Sequence, residues 1–192
     1  MKEKDDNRRS KILISIFIAF IMVTSIIGFM FGQYSAEQYK FRNYKFTGTD
    51  QGLSLVINKQ EVYFDYFPTD ANITDFDTGI DKMIKSTKML YLTYNYTSPY
   101  SEALGKSAYD LMLTMDKFDV YIQPAFTNLT QFSVPVITCA NATAFVPVIY
   151  FKESNQTRAY LDSGCIVMEA ESETNFVRLK DRVLYGFFGI LP

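Results

Sequence analysis

The sequence predicts a mixed α/β protein with a single N-terminal transmembrane helix followed by one mixed-sheet α/β domain. An uncharged apolar run extends from Ile12 to Gly32. Beyond it, strand-like and helix-like hydrophobic patterns alternate, and the remaining length of about 150 residues is enough for one core. We expect a basic tail over residues 1–11, the anchor over 12–32, a juxtamembrane segment and first strand over 33–50, and the α/β domain over 51–192.

The apolar run has the length of a membrane span. As an α-helix it would extend about 31 Å, against a hydrocarbon core of about 30 Å. A cleaved signal peptide is the alternative, but its apolar region is only about 7–15 residues long, so we favour a retained anchor. Basic residues are more numerous before the run than within a comparable distance after it, which predicts a cytoplasmic N-terminus and a C-terminal domain outside. They are Lys2, Lys4, Arg8, Arg9 and Lys11 before it, and Lys40, Arg42 and Lys45 after it.

Composition excludes several kinds of site. The chain has no His and only two Cys, so His-dependent triads, His-ligated metals and four-thiolate clusters are excluded. A net charge of −2 gives no electrostatic signature for nucleic acid. We therefore predict no catalytic residue, metal ligand or cofactor. Asp75, Asp77 and Asp81 loosely resemble a calcium loop, but position twelve is Ser86 rather than Glu. With Asp65 they are also candidates for hydrolase carboxylates, although a solvated face explains them better.

The two cysteines, Cys139 and Cys165, lie in the predicted outside domain. Thiols in such compartments are normally oxidised, so we expect a structural disulfide. Two unpaired buried thiols are the simpler alternative, and a redox-active pair is the chemical alternative.

Five N-x-Thr sequences follow the apolar run, more than the one or two that chance gives at this composition. They predict N-glycosylation of an outside domain, although Asn and Thr are also common in ordinary loops. The asparagines are Asn72, Asn95, Asn128, Asn141 and Asn155.

The α/β domain reads as strands and helices in alternation, which favours a parallel or mixed sheet covered by helices. We predict strands over Leu53–Ile57, Glu61–Phe67, Met89–Thr93, Asp119–Ala125, Val146–Phe151, Thr157–Leu161 and Cys165–Ala170. Helices are expected from about Asp75, from Ser98 to about Asp116 and after Ser172. In the last helix the charged residues Arg178, Lys180, Asp181 and Arg182 are assigned to the solvent face. The apolar end, Gly186–Pro192, should dock in the core or mark a partner surface.

Two local features resemble the thioredoxin-like family. Ser98-Pro99-Tyr100-Ser101 follows a predicted core strand and is similar to the glutaredoxin-type C-P-Y-C motif, with hydroxyls in place of both sulfurs. Pro147 is similar to the family's cis-proline, which precedes a strand entering a hairpin. The resemblance spans about residues 61–188. It implies a redox-inactive member that binds a partner, since two serines cannot form a redox disulfide.

The sequence therefore predicts a membrane-anchored extracytoplasmic protein with a disulfide-stapled, glycosylated binding or structural domain. No catalytic activity is evident, and the expected partners are the membrane and a protein of the cell envelope, with no nucleic acid. The alternatives are an extracytoplasmic thiol-disulfide oxidoreductase and a redox-inactive thioredoxin-like protein.

Overall fold

The computed structural model describes residues 3–31, 37–129 and 131–192. The chain divides into two compact units, Met1–Glu37 and Gln38–Pro192. The first contains one helix, α1 (Glu3–Phe31). Within it, Ser10–Gly28 is long and apolar enough to cross a membrane, and none of this stretch is buried in the protein. The Thr24 hydroxyl donates to the Phe20 carbonyl at 2.9 Å, so this polar group is satisfied inside the helix. Gly32, the last residue of the predicted anchor, lies outside the described residues.

The second unit contains nine strands and four α-helices in its described residues. The strands are β1 (Gln38–Phe41), β2 (Tyr44–Thr49), β3 (Gly52–Ile57), β4 (Gln60–Phe64), β5 (Met89–Tyr94), β6 (Tyr121–Phe126), β7 (Val148–Glu153), β8 (Arg158–Asp162) and β9 (Cys165–Ala170). The helices are α2 (Pro68–Ala71), α3 (Gly79–Ser86), α4 (Ser101–Asp116) and α5 (Glu173–Phe187), and a short 3-10 turn covers Cys139–Asn141.

Strands β1 to β4 form an antiparallel sheet in sequence order. Asn58 and Lys59, which connect β3 to β4, both have left-handed backbones with φ of 51° and 69°, as tight hairpin turns require. One face of the sheet is apolar and buried, with Phe46, Val62 and Phe64 at most 1% exposed. This face packs into the main core of the unit.

The second sheet has the order β6-β5-β7-β9-β8, with β8 antiparallel at one edge and the other four strands parallel. The protein is therefore a mixed α/β structure, as predicted. One face of this sheet carries buried aliphatic residues such as Leu92, Ile149 and Ile166, which belong to the same core as α4 and α5. The opposite face is covered largely by irregular chain between β6 and β7, where Ile137 and Cys139 pack against Val148 and Val167.

Helix α5 lies at the centre of the unit, in contact with α2, α3, α4 and β9. The Ser172 side chain caps its start by accepting from the Asn175 N–H at 3.3 Å, as predicted. Tyr185 stacks on Phe64 with 4.3 Å between ring centroids. After the helix, Ile190 is fully buried, so the apolar C-terminal segment docks in the core.

The structure corrects the prediction that the charged residues of α5 face the solvent. Lys180, Asp181 and Arg182 are 1%, 0% and 3% exposed, whereas Arg178 is intermediate. A helix that contacts neighbours on several sides has little surface left for solvent, so its polar positions are buried too. Burial of these charges requires ionic partners from other elements.

Gly186 permits one of these close contacts. A Cβ at this position would overlap the Asp81 carboxylate of α3. The glycine therefore lets α3 and α5 approach each other.

We predict that Gly186→Ala lowers the free energy of unfolding by about 2 kcal/mol or more, because the added methyl must displace a buried carboxylate. Urea unfolding of the full chain in detergent, followed by circular dichroism, measures this. The matched control is Gly105→Ala in α4, whose Cβ would meet only the Tyr94 hydroxyl at 3.2 Å. It should stay within about 1 kcal/mol of the parent, since alanine also favours the helix. Equal losses in both variants would contradict the close-approach argument.

Candidate functional site

Lys180 is the centre of a buried ion cluster. Its Nζ lies 2.5 Å from Asp65 Oδ2, 2.7 Å from Asp181 Oδ1 and 4.0 Å from Asp110 Oδ2. Burial lowers the pKa of Lys180, but the carboxylates of Asp181 and Asp65 outweigh it, so the pKa lies above its ordinary value. The amine is therefore protonated at neutral pH and is unsuited to act as a nucleophile or base.

Asp181 connects α5 to the end of β4. Its Oδ2 accepts the backbone N–H groups of Asp65 and Tyr66 at 2.8 and 2.7 Å. Burial raises the pKa of Asp181 to about 6, against the opposing effects of Lys180 and the Tyr66 N–H, so the group is mainly ionised at neutral pH. The Tyr185 hydroxyl donates to the Tyr66 carbonyl at 2.6 Å, which fixes the same peptide segment a second time.

An open groove of about 520 Å³ lies beside this cluster. Lys106 reaches Asp65 Oδ1 at 3.3 Å and Asp110 Oδ2 at 2.8 Å. Burial raises the pKa of Asp65, but the combined effect of Lys180 and Lys106 is larger and opposite. The pKa of Asp65 therefore lies below its ordinary value. The central carboxylate of the groove is therefore ionised and paired. The lining residues are Asp65, Tyr66, Glu102, Ala103, Lys106, Glu173, Thr174 and Val177.

A second ion pair joins α3 to α5. Asp81, expected on a solvated face, is buried, and its Oδ2 lies 3.7 Å from the Arg182 guanidinium. Arg182 also stacks over Phe76 at 3.8 Å from the ring centroid and donates to the Pro192 carbonyl. Burial raises the pKa of Asp81, with Arg182 acting in the opposite direction. This carboxylate is thus committed to the contact between the two helices.

The acidic run does not form a metal site. Asp75 and Asp77 are exposed, as expected, and Asp77 Oδ1 accepts the Gly79 N–H at 2.8 Å at the start of α3. Over residues 3–31, 37–129 and 131–192, no three acidic, His or Cys side chains are grouped to hold a metal ion.

Glu169 holds three strands together on the other face of the second sheet. The strand register places Lys152 on β7 and Arg158 on β8 directly beside it. Its carboxylate, only 2% exposed, lies 2.7 Å from Lys152 Nζ and 2.6 Å from Arg158 Nε. Burial raises the pKa of Glu169, but the hydrogen bonds from Lys152 and Arg158 outweigh it and bring the pKa below its ordinary value.

Cys139 and Cys165 are joined by a disulfide with Cα atoms 5.2 Å apart, the pairing expected from the sequence. Cys165 begins β9 and is fully buried, whereas Cys139 lies in the 3-10 turn above the sheet. The bond fixes the irregular segment to a central strand, and a loop of 26 residues is worth about 3 kcal/mol in the chain-entropy model. Burial of Cys165 protects the bond from thiol exchange.

The five sequon asparagines are all outside the core. Four are exposed and Asn95 is half-buried, in a turn where its Oδ1 accepts the Thr97 N–H at 3.1 Å. Thr130, the third residue of the Asn128 sequon, lies outside the described residues. Asn72, with Thr74 and Thr157, lines a second hollow of about 320 Å³, whereas no sequon residue lines the groove. The five asparagines are Asn72, Asn95, Asn128, Asn141 and Asn155.

The segment Ser98-Pro99-Tyr100-Ser101 forms a turn after β5. Ser98 Oγ accepts the Tyr100 N–H at 3.0 Å, and the Ser98 carbonyl accepts the Ser101 N–H at 3.0 Å. Helix α4 therefore begins at Ser101, three residues later than expected, because Ser98 makes a turn in place of a helix cap. The Tyr100 hydroxyl donates to the Glu171 carbonyl at 3.0 Å.

Pro147 differs from the thioredoxin-like pattern in two respects. Every peptide bond among the described residues is trans, including the bond before Pro147. The following strand, β7, pairs in parallel with β5 and β9 and does not enter a hairpin, because β9 lies between β7 and β8. The hairpin is formed instead by β8 and β9 through Ser163 and Gly164, both left-handed.

The ion clusters have no local signal in the sequence. Lys180 meets Asp65 across 115 positions, and Glu169 meets Arg158 through strand register. A run of alternating charges such as Lys180-Asp181-Arg182 is typical of an exposed helix face. Only the packing of α5 among other elements makes these residues internal.

Neither a protein-family model, nor a curated protein, nor a solved structure matches this chain. The fold class, mixed α/β, rests on the structure itself. No similar protein confirms the thioredoxin-like resemblance.

We predict that Lys180→Met destabilises the protein by about 3–5 kcal/mol, because it leaves the fully buried Asp181 carboxylate without its ammonium partner. Lys106→Met, whose side chain is 57% exposed and also contacts Asp65, should cost about 1 kcal/mol or less. Urea unfolding of the full chain measures both. Adding Asp181→Asn to Lys180→Met should recover part of the loss, and similar losses in the two single variants would refute a buried-charge origin.

We predict that Glu169 stabilises the fold above its unfolded pKa, near 4.5, and that this contribution is lost as the pH falls below that value through the lower folded pKa. Asp65 acts in the same direction, so Glu169→Gln should reduce the acid-induced loss without abolishing it. Unfolding free energies at several pH values, compared between the variant and the parent, measure this. Parallel pH curves for the two proteins would show that Glu169 does not contribute.

Proposed function

We propose that this chain is a single-pass membrane protein that displays a disulfide-stapled, N-glycosylated α/β domain outside the cytoplasm. There the domain serves as a binding or structural module of the cell envelope, with another envelope protein as its partner. Helix α1 is the anchor, and the short basic tail before it stays in the cytoplasm.

The observation that carries the proposal is the Cys139–Cys165 disulfide. Such bonds persist in oxidising compartments and are rare in the cytosol. The domain that contains this bond follows a helix apolar enough to span a membrane. A domain on the side of the membrane opposite the basic tail would lie in an oxidising compartment. The disulfide and the membrane helix therefore point to the same location.

The sequons support the same orientation. None of their asparagines is buried, so the fold leaves each one accessible to a modifying enzyme. An exposed N-x-Thr in an outside domain is the substrate that N-glycosylation requires.

The electrostatics favour binding over catalysis. Lys180 is held between two carboxylates, and Asp65 is held by two ammonium groups. This pairing raises the pKa of Lys180 and lowers the pKa of Asp65, so both are displaced from the near-neutral value that suits a general acid or base. The buried Cys165 likewise argues against a role in thiol exchange.

We predict the following for the full chain translated with sealed microsomes. The domain should resist added protease, and each sequon used should add one mobility step that peptide-N-glycosidase removes. Asn→Gln at a used site should remove one step. Both thiols should be blocked to alkylation until a reductant is added. Digestion of the domain by external protease, together with thiols that react without reductant, would reverse the orientation and refute the proposal.

A further inference from the structure

The β1–β2 hairpin carries aromatic side chains on one face and lysines on the other. Tyr39, Phe41 and Phe46 contact the Phe67 ring, with centroids 6.2, 5.9 and 5.4 Å away. Because side chains alternate along a strand, the other face of β1 and β2 points away from that aromatic contact. The alternation fixes which residues form the outer face.

The outer face is basic. Lys40 and Lys45 are exposed and stand directly opposite each other in the β1–β2 register, an unfavourable arrangement for like charges. Arg42, in the connecting turn, has a left-handed φ of 51° and belongs to the aromatic face instead. Its guanidinium lies 5.4 Å from the Phe41 ring centroid and donates to the Ile190 carbonyl at 2.9 Å.

The two strands and their turn carry no acidic residue, although Glu37 and Asp50 flank them in the chain. Residues 38–49 include three basic residues and no acidic one. Within the part of the chain that the structure describes, neither Lys40, Arg42 nor Lys45 forms an ion pair. The basic face is therefore electrostatically complementary to an anionic surface.

The chain length limits where such a surface can be. Six residues separate the end of α1 from the start of β1, a tether of about 25 Å at full extension. A membrane that holds α1 is thus within reach of the hairpin, and Lys and Arg beside an anionic bilayer are attracted to its headgroups.

We propose that the outer face of the β1–β2 hairpin, with Lys40 and Lys45, binds the anionic phospholipid headgroups of the membrane that anchors α1. The contact orients the domain on the bilayer and relieves the Lys40–Lys45 repulsion. This inference rests on the proposed function, because it requires α1 to span a membrane.

The test uses the full chain with Asn43→Cys in the exposed turn, labelled with an environment-sensitive fluorophore and reconstituted into vesicles. A quencher on the lipid headgroup should quench the label about twofold more in phosphatidylglycerol-containing vesicles than in phosphatidylcholine vesicles. The difference should disappear at about 1 M NaCl, where the Debye length is about 3 Å. Lys40→Glu with Lys45→Glu should also abolish it. The matched control, Lys82→Glu with Lys88→Glu, changes the same charge at other exposed sites and should retain it.

Flotation after carbonate washing separates the two proposals. Protein that leaves the vesicles would refute the anchor and the hairpin contact together. Alternatively, the protein stays integrated while the quenching is the same in both kinds of vesicle, or while it falls equally in the control variant. Either result would overturn the hairpin contact alone and would leave the basic face to a soluble anionic partner.

Discussion

The placement of Lys180 between Asp65 and Asp181 is the contact on which the second unit depends. It joins the residue after β4, the last strand of the antiparallel sheet, to α5, which covers one face of the five-stranded sheet. Asp181 binds two backbone N–H groups at the same point. A charge removed from water at this depth is tolerated only when it is paired, so the cluster holds the end of β4 against α5.

The two faces of the five-stranded sheet are covered in different ways. Helices protect one face through ordinary apolar packing. The other is covered by chain with little regular structure, whose ordering costs conformational entropy. The Cys139–Cys165 bond reduces this cost by limiting the unfolded chain. Glu169, with Lys152 and Arg158, joins the three strands on this same face.

The buried and the exposed charges of the second unit have different surroundings. Its buried charges are used to hold elements together, and Cys165 lies within the core. The exposed charges of the first hairpin differ, since they have no acidic partner within the described chain.

The sequence by itself determined the apolar helix, the α/β alternation and the Ser172 cap, because each depends on local composition and periodicity. Only the tertiary structure decided the burial of Lys180, Asp181 and Asp81. Their partners are distant in the chain, and exposure of a helix face depends on how many elements surround it. Strand order was decided in the same way: β7 follows Pro147 as a hairpin strand would, yet β9 takes the place beside it. Pairing between strands is a long-range choice that local patterns do not encode.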